Sequence, residues 1–413
     1  MATSPIAQYI VTDTTGDAYF ETGFRRVVLE LVNIVVIAIY LFYYKINLKT
    51  TGIYVKLFYL LLAYWNYIHL FNILFSLDAQ RSLIFYLISV FGPSLMALQI
   101  LNDERIKFDW KVIRNLFFNF AIYAYSIGLV FLVYRIAKEG FWSPESRGGG
   151  CIYFANFGIM LMGLIVPMLF SPIKVKGDAV WQDKAFSIGI LLHQVAAVSR
   201  FGMIFYLLLL FGLRGNSLQN ILKMIGGLIV GAVVLYYVVL FSSGLDMIDF
   251  ITFRFMGYEG NMAARTQNDE RFRIWQETIG HYIEHPQYWI TGVGLSNYRL
   301  ADEQHLTYSN AHNILINILF ERGVLGFIGF LSFILLGVAA AKRTALIYAN
   351  DLLKSHLTRC LKIGFLFFAF TAFFYDDLRN AAGQHTGLMG YFFFIWLALL
   401  IKPTLDKTIN TAS

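Results

Sequence analysis

Long apolar runs alternate with short polar segments along most of the chain. This pattern predicts helices that cross a membrane, because a bilayer core about 30 Å thick requires about 20 predominantly apolar helical residues. The segments 185–199 and 200–213 are short, so they form either one long helix or two short helices that meet near Ser199 and Arg200. The predicted spans are 27–44, 53–76, 82–101, 112–136, 151–171, 185–199, 200–213, 221–243, 313–341, 360–375 and 386–401.

The longest polar segment covers residues 244–312. A loop of this length in a compact protein usually has structure or a function of its own. Within it, residues 271–283 predict an amphipathic helix that packs through one apolar face. That face is formed by Phe272, Trp275, Ile279, Tyr282 and Ile283.

Three local signals divide the end of this loop and the start of the next span. His285 should end the loop helix, because the residue before a proline is pushed out of helical geometry. Gly292-Val-Gly294 predicts a tight turn, since glycine adopts positive φ angles without a steric penalty. Asn310 is the expected N-cap of the span that follows, with Ser309 as a rival.

Lysine and arginine residues are concentrated in the short loops on one side of the predicted spans. Short loops rich in these residues face the cytoplasm. We therefore expect the C-terminus inside, the segment 244–312 outside and the N-terminus outside. The chain then divides into N-terminal membrane helices at 1–243, an external loop at 244–312 and C-terminal membrane helices at 313–413, all within one integral membrane domain.

The composition is also that of a polytopic membrane protein. Of the 413 residues, 58% are hydrophobic and 14% are charged, whereas about a quarter of the residues in soluble domains are charged. The net charge of +7 is spread over many loops, so it does not indicate a nucleic-acid-binding patch. Cys151 and Cys360 are expected on opposite sides of the membrane, which excludes a disulfide between them.

Arginine replaces lysine throughout the external loop. Between Lys223 and Lys342 the chain has six arginines and no lysine. Arginine stays protonated and can bind two phosphate oxygens at once, which lysine cannot do. The pattern favours a site for a phosphorylated or pyrophosphorylated ligand on the outer face of the membrane.

Four arginines are candidates for this site. Arg200 lies between two apolar runs, where a charge is costly unless it snorkels to the interface or lines a polar cavity. Arg271 falls on the same face of the predicted helix as Trp275, and a bound ligand would explain a charge there. Arg265 and Arg273 could equally form ordinary ion pairs with nearby acids.

His312 lies where the external loop enters the next span. A neutral imidazole with a pKa near 6.5 could act there as a general base, and the helix N-terminus would favour an anion. The alternative is that His312 and Asn313 only cap the helix. Inside the span, the glycines of Glu321-Arg322-Gly323-x-x-Gly326 have a spacing that suits close helix packing.

Taken in order, these motifs resemble those of the bacterial O-antigen ligase and polymerase superfamily. The resemblance is best over residues 190–340, and it implies a GT-C-like enzyme. Together with the predicted spans, it gives an all-α polytopic protein with about 11 transmembrane helices (10–12) as the expected fold. It places the protein in the bacterial inner membrane, with 244–312 as a periplasmic catalytic loop. The motifs are Ser199-Arg200, Arg271-x3-Trp275, His285-Pro286, Gly292-x-Gly294, and His312-Asn313 followed by Glu321-x-Gly323-x-x-Gly326.

The resemblance also implies roles for individual residues. Members of this superfamily are glycosyltransferases that act on undecaprenyl-pyrophosphate-linked glycans; Arg200 and Arg271 would hold the donor pyrophosphate, and His312 would lie near the acceptor hydroxyl. No metal or other cofactor is expected, because arginines can neutralise the pyrophosphate and the loop has no cysteine for zinc. The residues expected to bind substrate are Arg265, Arg273, Trp275, His285, Tyr308, Asn313 and Glu321.

The acceptor divides the superfamily into two activities. A polymerase, which we favour, adds the glycan to a second lipid-linked repeat unit, and a chain-length regulator protein would be a further partner. A ligase adds the glycan to the lipid A-core instead. A polysaccharide flippase is an alternative of a different class, but it would need more charges inside the spans and often an inverted repeat.

Two positions depart from the superfamily pattern. Phe201 follows Ser199-Arg200, where a small residue is usual, and Gln287-Tyr288-Trp289 follow Pro286, where leucine or a similar residue is usual. The pocket is expected to differ at these two places.

Overall fold

The computed structural model of the chain describes two large blocks of residues and several short pieces. For residues 270–272, 299–300, 371 and 388–392 it describes the backbone only. The described residues are 32, 34–43, 48, 52–119, 166–168, 190, 209, 270–295, 297–301, 311, 313–371 and 388–405.

All the regular structure among these residues is helical. We label the helices in chain order, and the element after α3 is a π-helical turn at Leu87–Phe91. The labelled helices are α1 Ile34–Tyr43, α2 Ile53–Leu74, α3 Ala79–Tyr86, α4 Gly92–Asn102, α5 Glu270–Glu284, α6 Ile314–Ile347, α7 Leu352–Thr371 and α8 Leu388–Ile401. Residues 110–119 are also helical.

Three of the described helical stretches are long and apolar enough to cross a membrane: Ile53–Leu74, Ala79–Asn102 and Ile314–Ile347. They confirm the helices predicted at 53–76, 82–101 and 313–341. The helix α1 lies within the predicted span 27–44. The span at 221–243 falls outside the described residues, as do most of 112–136 and all of 151–171, 185–199 and 200–213 except residues 166–168, 190 and 209.

The stretch 79–102 is one apolar rod with an irregular middle. Asp78 begins α3, since its carboxylate accepts a hydrogen bond from the backbone N–H of Arg81 at 2.9 Å. Pro93 lies in the first turn of α4 and has no N–H to donate. The preceding π turn joins the two helices without a loop.

The core forms where α6 crosses α2 and where α8 packs on α4. The α2 residues that face inward recur every three or four positions, from Val55 through Phe58 and Leu62 to Trp65. Phe333 of α6 lies against this row, with its ring edge-on to Trp65 at 5.8 Å between centroids. This packing fixes the depth of α6 relative to α2, which matters for the site below.

The bundle has two ends: a loop end, where the segment that follows α5 packs, and an opposite end. Asp103, Tyr348 and residues 402–405 lie at the opposite end. The ammonium group of Lys402 donates to the backbone oxygens of Ile100 and Asp103 at 2.6 and 2.8 Å, and so satisfies carbonyls at the C-terminus of α4. The Arg105 guanidinium holds the pKa of the Asp103 carboxyl down at about 2.

The other end, the loop end, joins the turn between α2 and α3 to the segment that follows α5. The backbone N–H of Leu77 donates to Val293 at 3.2 Å. The hydroxyl of Ser82 donates to the Leu295 oxygen at 3.2 Å, and the amide of Asn297 donates to that hydroxyl at the same distance. The lysine and arginine pattern assigns the residues of the opposite end to the cytoplasmic side of the membrane. It assigns those of the loop end to the external side.

The helix boundaries at the opposite end differ from the prediction. The loop expected at 342–359 is mostly helical, because α6 continues to Ile347 and α7 begins at Leu352. The charged side chains of this region, Lys342, Arg343 and Lys354, lie on helical turns. Loss of hydrophobicity therefore marks where the chain leaves the apolar zone and not where the helix ends.

Candidate functional site

The helix α6 is broken one-third of the way along its length. Gly323 has φ 63° and ψ −170°, which no α-helical residue adopts. The break divides α6 into a first part that ends near Arg322 and a second part that begins at Val324. A break of this kind leaves carbonyls without partners before it and N–H groups without partners after it.

The segment Trp289–Gly294 supplies those partners. Before the break, the carbonyls of Phe320 and Glu321 accept from the N–H groups of Val293 and Gly294, both at 3.0 Å. After the break, the N–H of Val324 donates to the Trp289 carbonyl at 2.8 Å. We call Trp289–Gly294 together with Phe320–Leu325 the junction. It lets irregular backbone enter an apolar helix bundle with its polar groups paired.

Glycines make the junction possible. A Cβ at Gly292 would collide with the backbone of Glu321 and Arg322, and a Cβ at Gly323 would collide with Ile290 and Thr291. Gly292 and Gly294 also have positive φ angles, 73° and 101°, which confirms the predicted tight turn.

The interpretation of Gly323 and Gly326 as helix-packing residues was wrong. Gly323 breaks the helix and allows the turn at 290–291 to approach it. A Cβ at Gly326 would meet the side chain of Arg322 from the same helix. A glycine pair inside an apolar run has the same sequence whether it packs against another helix or breaks its own helix, so the spacing does not distinguish the two roles.

Asn72 of α2 binds the two halves of the junction together. Its side-chain amide donates to the carbonyl of Thr291 in the turn and to the carbonyl of Glu321 in α6, the latter at 3.2 Å. The residue is fully buried. One side chain therefore fixes the external loop, α2 and α6 at the same point.

The loop helix α5 packs on α6 through residues that recur every four positions. Ile274, Thr278 and Tyr282 are buried, and the Thr278 hydroxyl is hydrogen-bonded to Tyr298. The helix ends at Glu284, directly before His285-Pro286, as predicted. The predicted packing face was wrong in part, because Ile279 and Ile283 are exposed.

The side chain of Trp275 ties α5 to the start of α6. Its indole Nε1 donates to the carbonyl of Ala311 at 2.7 Å. The N–H of Ala311 donates to the Asn317 side chain at 2.8 Å. Asn313 caps α6, with its side chain accepting from Leu315 at 3.0 Å. The expected caps, Asn310 and Ser309, were therefore three or four residues too early.

The C-terminal end of α5 is fixed by a reciprocal pair of hydrogen bonds. The Tyr282 hydroxyl donates to the Trp289 carbonyl, and the Trp289 indole donates to the Tyr282 carbonyl, both at 2.7 Å. Burial raises the pKa of the Tyr282 phenol to about 12. The position of Trp289 at the beginning of the junction is thus coupled to α5.

Glu321 and Arg322 are both buried beside the break. The Arg322 guanidinium carbon lies 5.1 Å from the centre of the Trp65 ring, a cation–π arrangement. Arg322 also borders a cavity of about 20 Å³ that Ser89 and four phenylalanines help to line. A space of this size is large enough for about one water molecule.

His281 and His285 form a stacked pair at the end of α5, with ring centroids 4.0 Å apart. His285 is also hydrogen-bonded through Nδ1 to the carbonyl of His281 at 2.8 Å. The two residues have the His-x3-His spacing of some zinc sites, so the lack of cysteine in the loop does not by itself exclude a metal there. Within the described part of the chain no third metal-binding side chain joins them.

The other predicted site residues are described unevenly. Arg273 is exposed and lies 3.4 Å from the Glu277 carboxylate, which is the ordinary ion pair considered above. Arg271 is described only as a backbone position in α5, one turn before Trp275. The predictions for Arg200, Arg265, Tyr308 and His312 lie outside the described residues.

Sequence reasoning missed His69, Asn72 and Asn317. All three are buried in helices that are otherwise apolar. Polar side chains inside membrane spans are rare and usually have a structural or functional reason. The pair His69 and Asn72, three residues apart in α2, was the signal in the sequence that α2 faces a polar junction.

Residues 185–331 match the model of the O-antigen ligase family. This part of the chain is a domain of that family, which confirms the resemblance identified from the motifs. The family implies a membrane enzyme of the ligase or polymerase type with lipid-linked glycan substrates. No curated protein matches the chain.

Proposed function

We propose that this protein is a surface-polysaccharide polymerase. It transfers an undecaprenyl-pyrophosphate-linked glycan to a sugar hydroxyl of a second lipid-linked repeat unit, at the periplasmic face of the bacterial inner membrane. The family match over residues 185–331 supports a reaction of this type. The choice of acceptor is our own inference.

The observation that carries the proposal is the hydrogen bond from Trp275 to Ala311. Trp275 lies one helical turn after Arg271, and Ala311 directly precedes His312. The bond therefore supports a common site for an arginine that binds phosphate and a histidine that accepts a proton. Asn313, on the other side of His312, is held by its capping bonds to Leu315 and Ile316.

In the proposed reaction, Arg200 and Arg271 bind the pyrophosphate of the donor. The acceptor hydroxyl oxygen attacks the anomeric carbon, while the bond from that carbon to the pyrophosphate oxygen breaks. The imidazole of His312 takes the hydroxyl proton. Undecaprenyl pyrophosphate leaves with the electron pair of the broken bond, and a single displacement inverts the anomeric centre.

The proposed mechanism needs no metal. A pyrophosphate leaves readily once its developing charge is neutralised, and fixed cations do this without reorganisation in a site that excludes water. Orientation of the acceptor is the remaining requirement. Arg265, Arg273, Trp275, His285, Tyr308, Asn313 and Glu321 stay our proposed substrate-binding residues, although Trp275 and Asn313 also have the structural hydrogen bonds described above.

A ligase that transfers the glycan to the lipid A-core is the second candidate, since the same donor site would serve both reactions. We place the polymerase first because the motifs here depart from the family pattern at Phe201 and at 287–289. A flippase has less support, because the family match is to an enzyme of glycan transfer.

The glycan profile of a bacterial strain that lacks this protein distinguishes the candidates. A polymerase predicts that surface glycans shrink to one repeat unit that is still attached. A ligase predicts that long lipid-linked chains accumulate while surface attachment is lost. A strain with normal chain length and normal attachment would contradict both.

A further inference from the structure

The loop helix α5 has three faces with different surroundings. One face, with Ile274, Thr278 and Tyr282, is buried against the protein. A second face is polar and exposed, and it includes the Arg273–Glu277 ion pair. The third face is apolar and exposed.

This third face carries Ile279 and Ile283, four residues apart, which are 41% and 59% exposed. Two isoleucines on one line of a loop helix form a surface that water solvates poorly. Position 272, occupied by phenylalanine, falls on the same line of the helix about two turns before Ile279. The apolar arc predicted from the sequence is therefore shared between the protein and some other environment.

The apolar face of α5 continues into the membrane helix α6. Trp289 and Ile290, which follow α5, are 44% and 63% exposed. Their carbonyls accept hydrogen bonds from the backbone of Val324 and Leu325 in α6. This backbone pairing places the exposed side chains of Trp289 and Ile290 beside the start of the second part of α6, where Val324 is also exposed.

On α6 the same surface continues in helical register. Val324, Ile328, Leu331 and Leu335 are all exposed, while Phe330 and Phe333 on the opposite side are buried. In a helix that crosses a membrane, exposed aliphatic residues in such a row face lipid. The residues Ile279, Ile283, Trp289 and Ile290, which we call the loop strip, extend this lipid-facing row beyond the break.

We propose that α5 lies on the bilayer surface, with the loop strip inserted among the lipid head groups and the upper acyl chains. The strip is continuous with the lipid-facing side of α6, and an amphipathic helix with a separate charged face suits the interface. Tryptophan at the border between the two, as at position 289, is typical of a membrane interface. The proposal concerns placement of the loop and does not depend on the reaction catalysed.

Spin labels test this placement directly. A single cysteine is introduced in a Cys151→Ser/Cys360→Ala background and labelled with a nitroxide, in the variants Ile279→Cys, Ile283→Cys and Ile290→Cys. Each labelled protein is reconstituted into phosphatidylcholine–phosphatidylglycerol vesicles. The matched control is Glu284→Cys, which is also exposed and is adjacent to Ile283 but lies on the polar face. Power saturation then compares collisions with oxygen, which concentrates in lipid, and with a water-soluble nickel chelate.

The three strip positions should collide more with oxygen than with the chelate, and Glu284→Cys should show the reverse. Strip labels as accessible to nickel as the control would mean that the strip is in water. Strip labels protected from both reagents would mean that protein covers it. Either result overturns the proposal, and thermal unfolding of each labelled variant checks that it is folded.

A second measurement uses the protein without labels. Brominated phosphatidylcholine quenches tryptophan fluorescence only when the indole contacts lipid. Trp289→Phe should therefore remove a quenchable part of the emission. An unchanged quenched fraction in this variant would contradict insertion of the strip, whatever the behaviour of the labelled proteins.

Discussion

At the scale of single residues, the site depends on backbone positions that a side chain would destroy. Gly323 combines φ 63° with ψ −170°, a region that is essentially restricted to glycine. A Cβ added in place of its Cα hydrogen would collide with the backbone of Ile290 and Thr291, so no larger group fits there. The break in α6 and the docking of the external loop therefore require the same glycine.

Gly323→Ala should be strongly destabilising. The backbone strain alone costs about 1–3 kcal/mol, and the collision with Ile290 adds to it. Thermal unfolding of the purified protein in detergent measures the loss. The matched control is Gly280→Ala in α5, where a Cβ meets no atom within 4 Å; this variant should gain about 0.5–1 kcal/mol because alanine loses less backbone entropy in a helix. Equal melting temperatures for the two variants would contradict this account of the break.

Asn72→Leu tests the contact that joins the loop to α2 and α6. The substitution removes the donor to the carbonyls of Thr291 and Glu321. The Glu321 carbonyl keeps its bond from the Gly294 N–H, so the cost falls on the part-buried Thr291 carbonyl, and loss of a partner at such a group costs up to about 1–3 kcal/mol. Hydrogen exchange at the backbone amides of residues 292–294 should become faster. Ser332→Ala, which removes an exposed hydroxyl bond within α6, should leave it unchanged. Unaltered exchange in Asn72→Leu would mean that the junction holds without this side chain.

The structural role of Gly292 could be predicted from the sequence, whereas that of Gly323 could not. Two glycines separated by a single residue in a polar loop usually form a tight turn, and that prediction was correct for Gly292 and Gly294. Gly323 lies in an apolar run, where break and packing have the same sequence. Only the partner segment at 289–294 distinguishes them, and its proximity depends on tertiary contacts.

At the scale of helices, the sequence predicted where α5 ends but not how it is covered. Pro286 acts locally, so the end at Glu284 follows from the residue itself. Periodicity predicted a single apolar face, whereas Tyr282 is buried in protein and Ile283 is exposed. Two different apolar environments produce one continuous pattern, so hydrophobicity alone does not separate protein from lipid.

The pKa of Tyr282 reports how firmly α5 is docked. Because burial raises this pKa to about 12, the folded chain keeps the phenol proton after an unfolded tyrosine, with a pKa near 10, has lost it. The free energy of unfolding should therefore fall as the pH rises from about 10 to about 12. Below about pH 10 the contribution is complete.

Carbon-13 NMR of tyrosine-labelled protein can follow this group. One phenol resonance, absent from Tyr282→Phe, should remain in its protonated position at pH 11, where exposed tyrosines have titrated. A Tyr282 resonance that titrates near pH 10 would mean that the end of α5 is open to water in solution.

At the scale of the whole molecule, the two ends of the bundle have different roles. The opposite end is held by Lys402 and by the carboxylate of Asp103, which also accepts from the Tyr40 hydroxyl at 2.7 Å. The loop end is held by backbone pairing around the junction. The predicted topology assigns the first to the cytoplasm and the second to the periplasm.

Labelling of single cysteines tests this topology. In a background without native cysteines, Asn261→Cys in the external loop should react with an impermeant thiol reagent added to intact cells. Asn350→Cys, in the exposed turn between α6 and α7, should react only after the membrane is permeabilised. Labelling of Asn350→Cys alone in intact cells would invert the molecule and remove the site from the compartment where the substrate is displayed.

The family and the main helices could be predicted from the sequence, whereas the construction of the site could not. The motifs were recognisable because each lies within a few residues, as Arg271-x3-Trp275 does. The junction joins residues of α2, the external loop and α6 that are more than 200 positions apart in the case of Asn72 and Thr291. Such pairings depend on packing depth, which no local pattern specifies.

In the mechanism that we propose, His312 accepts the acceptor's proton in a metal-free transfer. The most direct measurement is the rate of glycan transfer by the purified enzyme in EDTA, with a lipid-linked donor, for wild type, His312→Gln and the control His305→Gln. Removal of a general base typically costs about 10²–10⁴-fold in rate, so His312→Gln should be slowed by this amount while it still binds donor. Wild type and His305→Gln should stay active. Transfer by His312→Gln at the wild-type rate, or a wild type that is inactive until a divalent metal is restored, would contradict the claim.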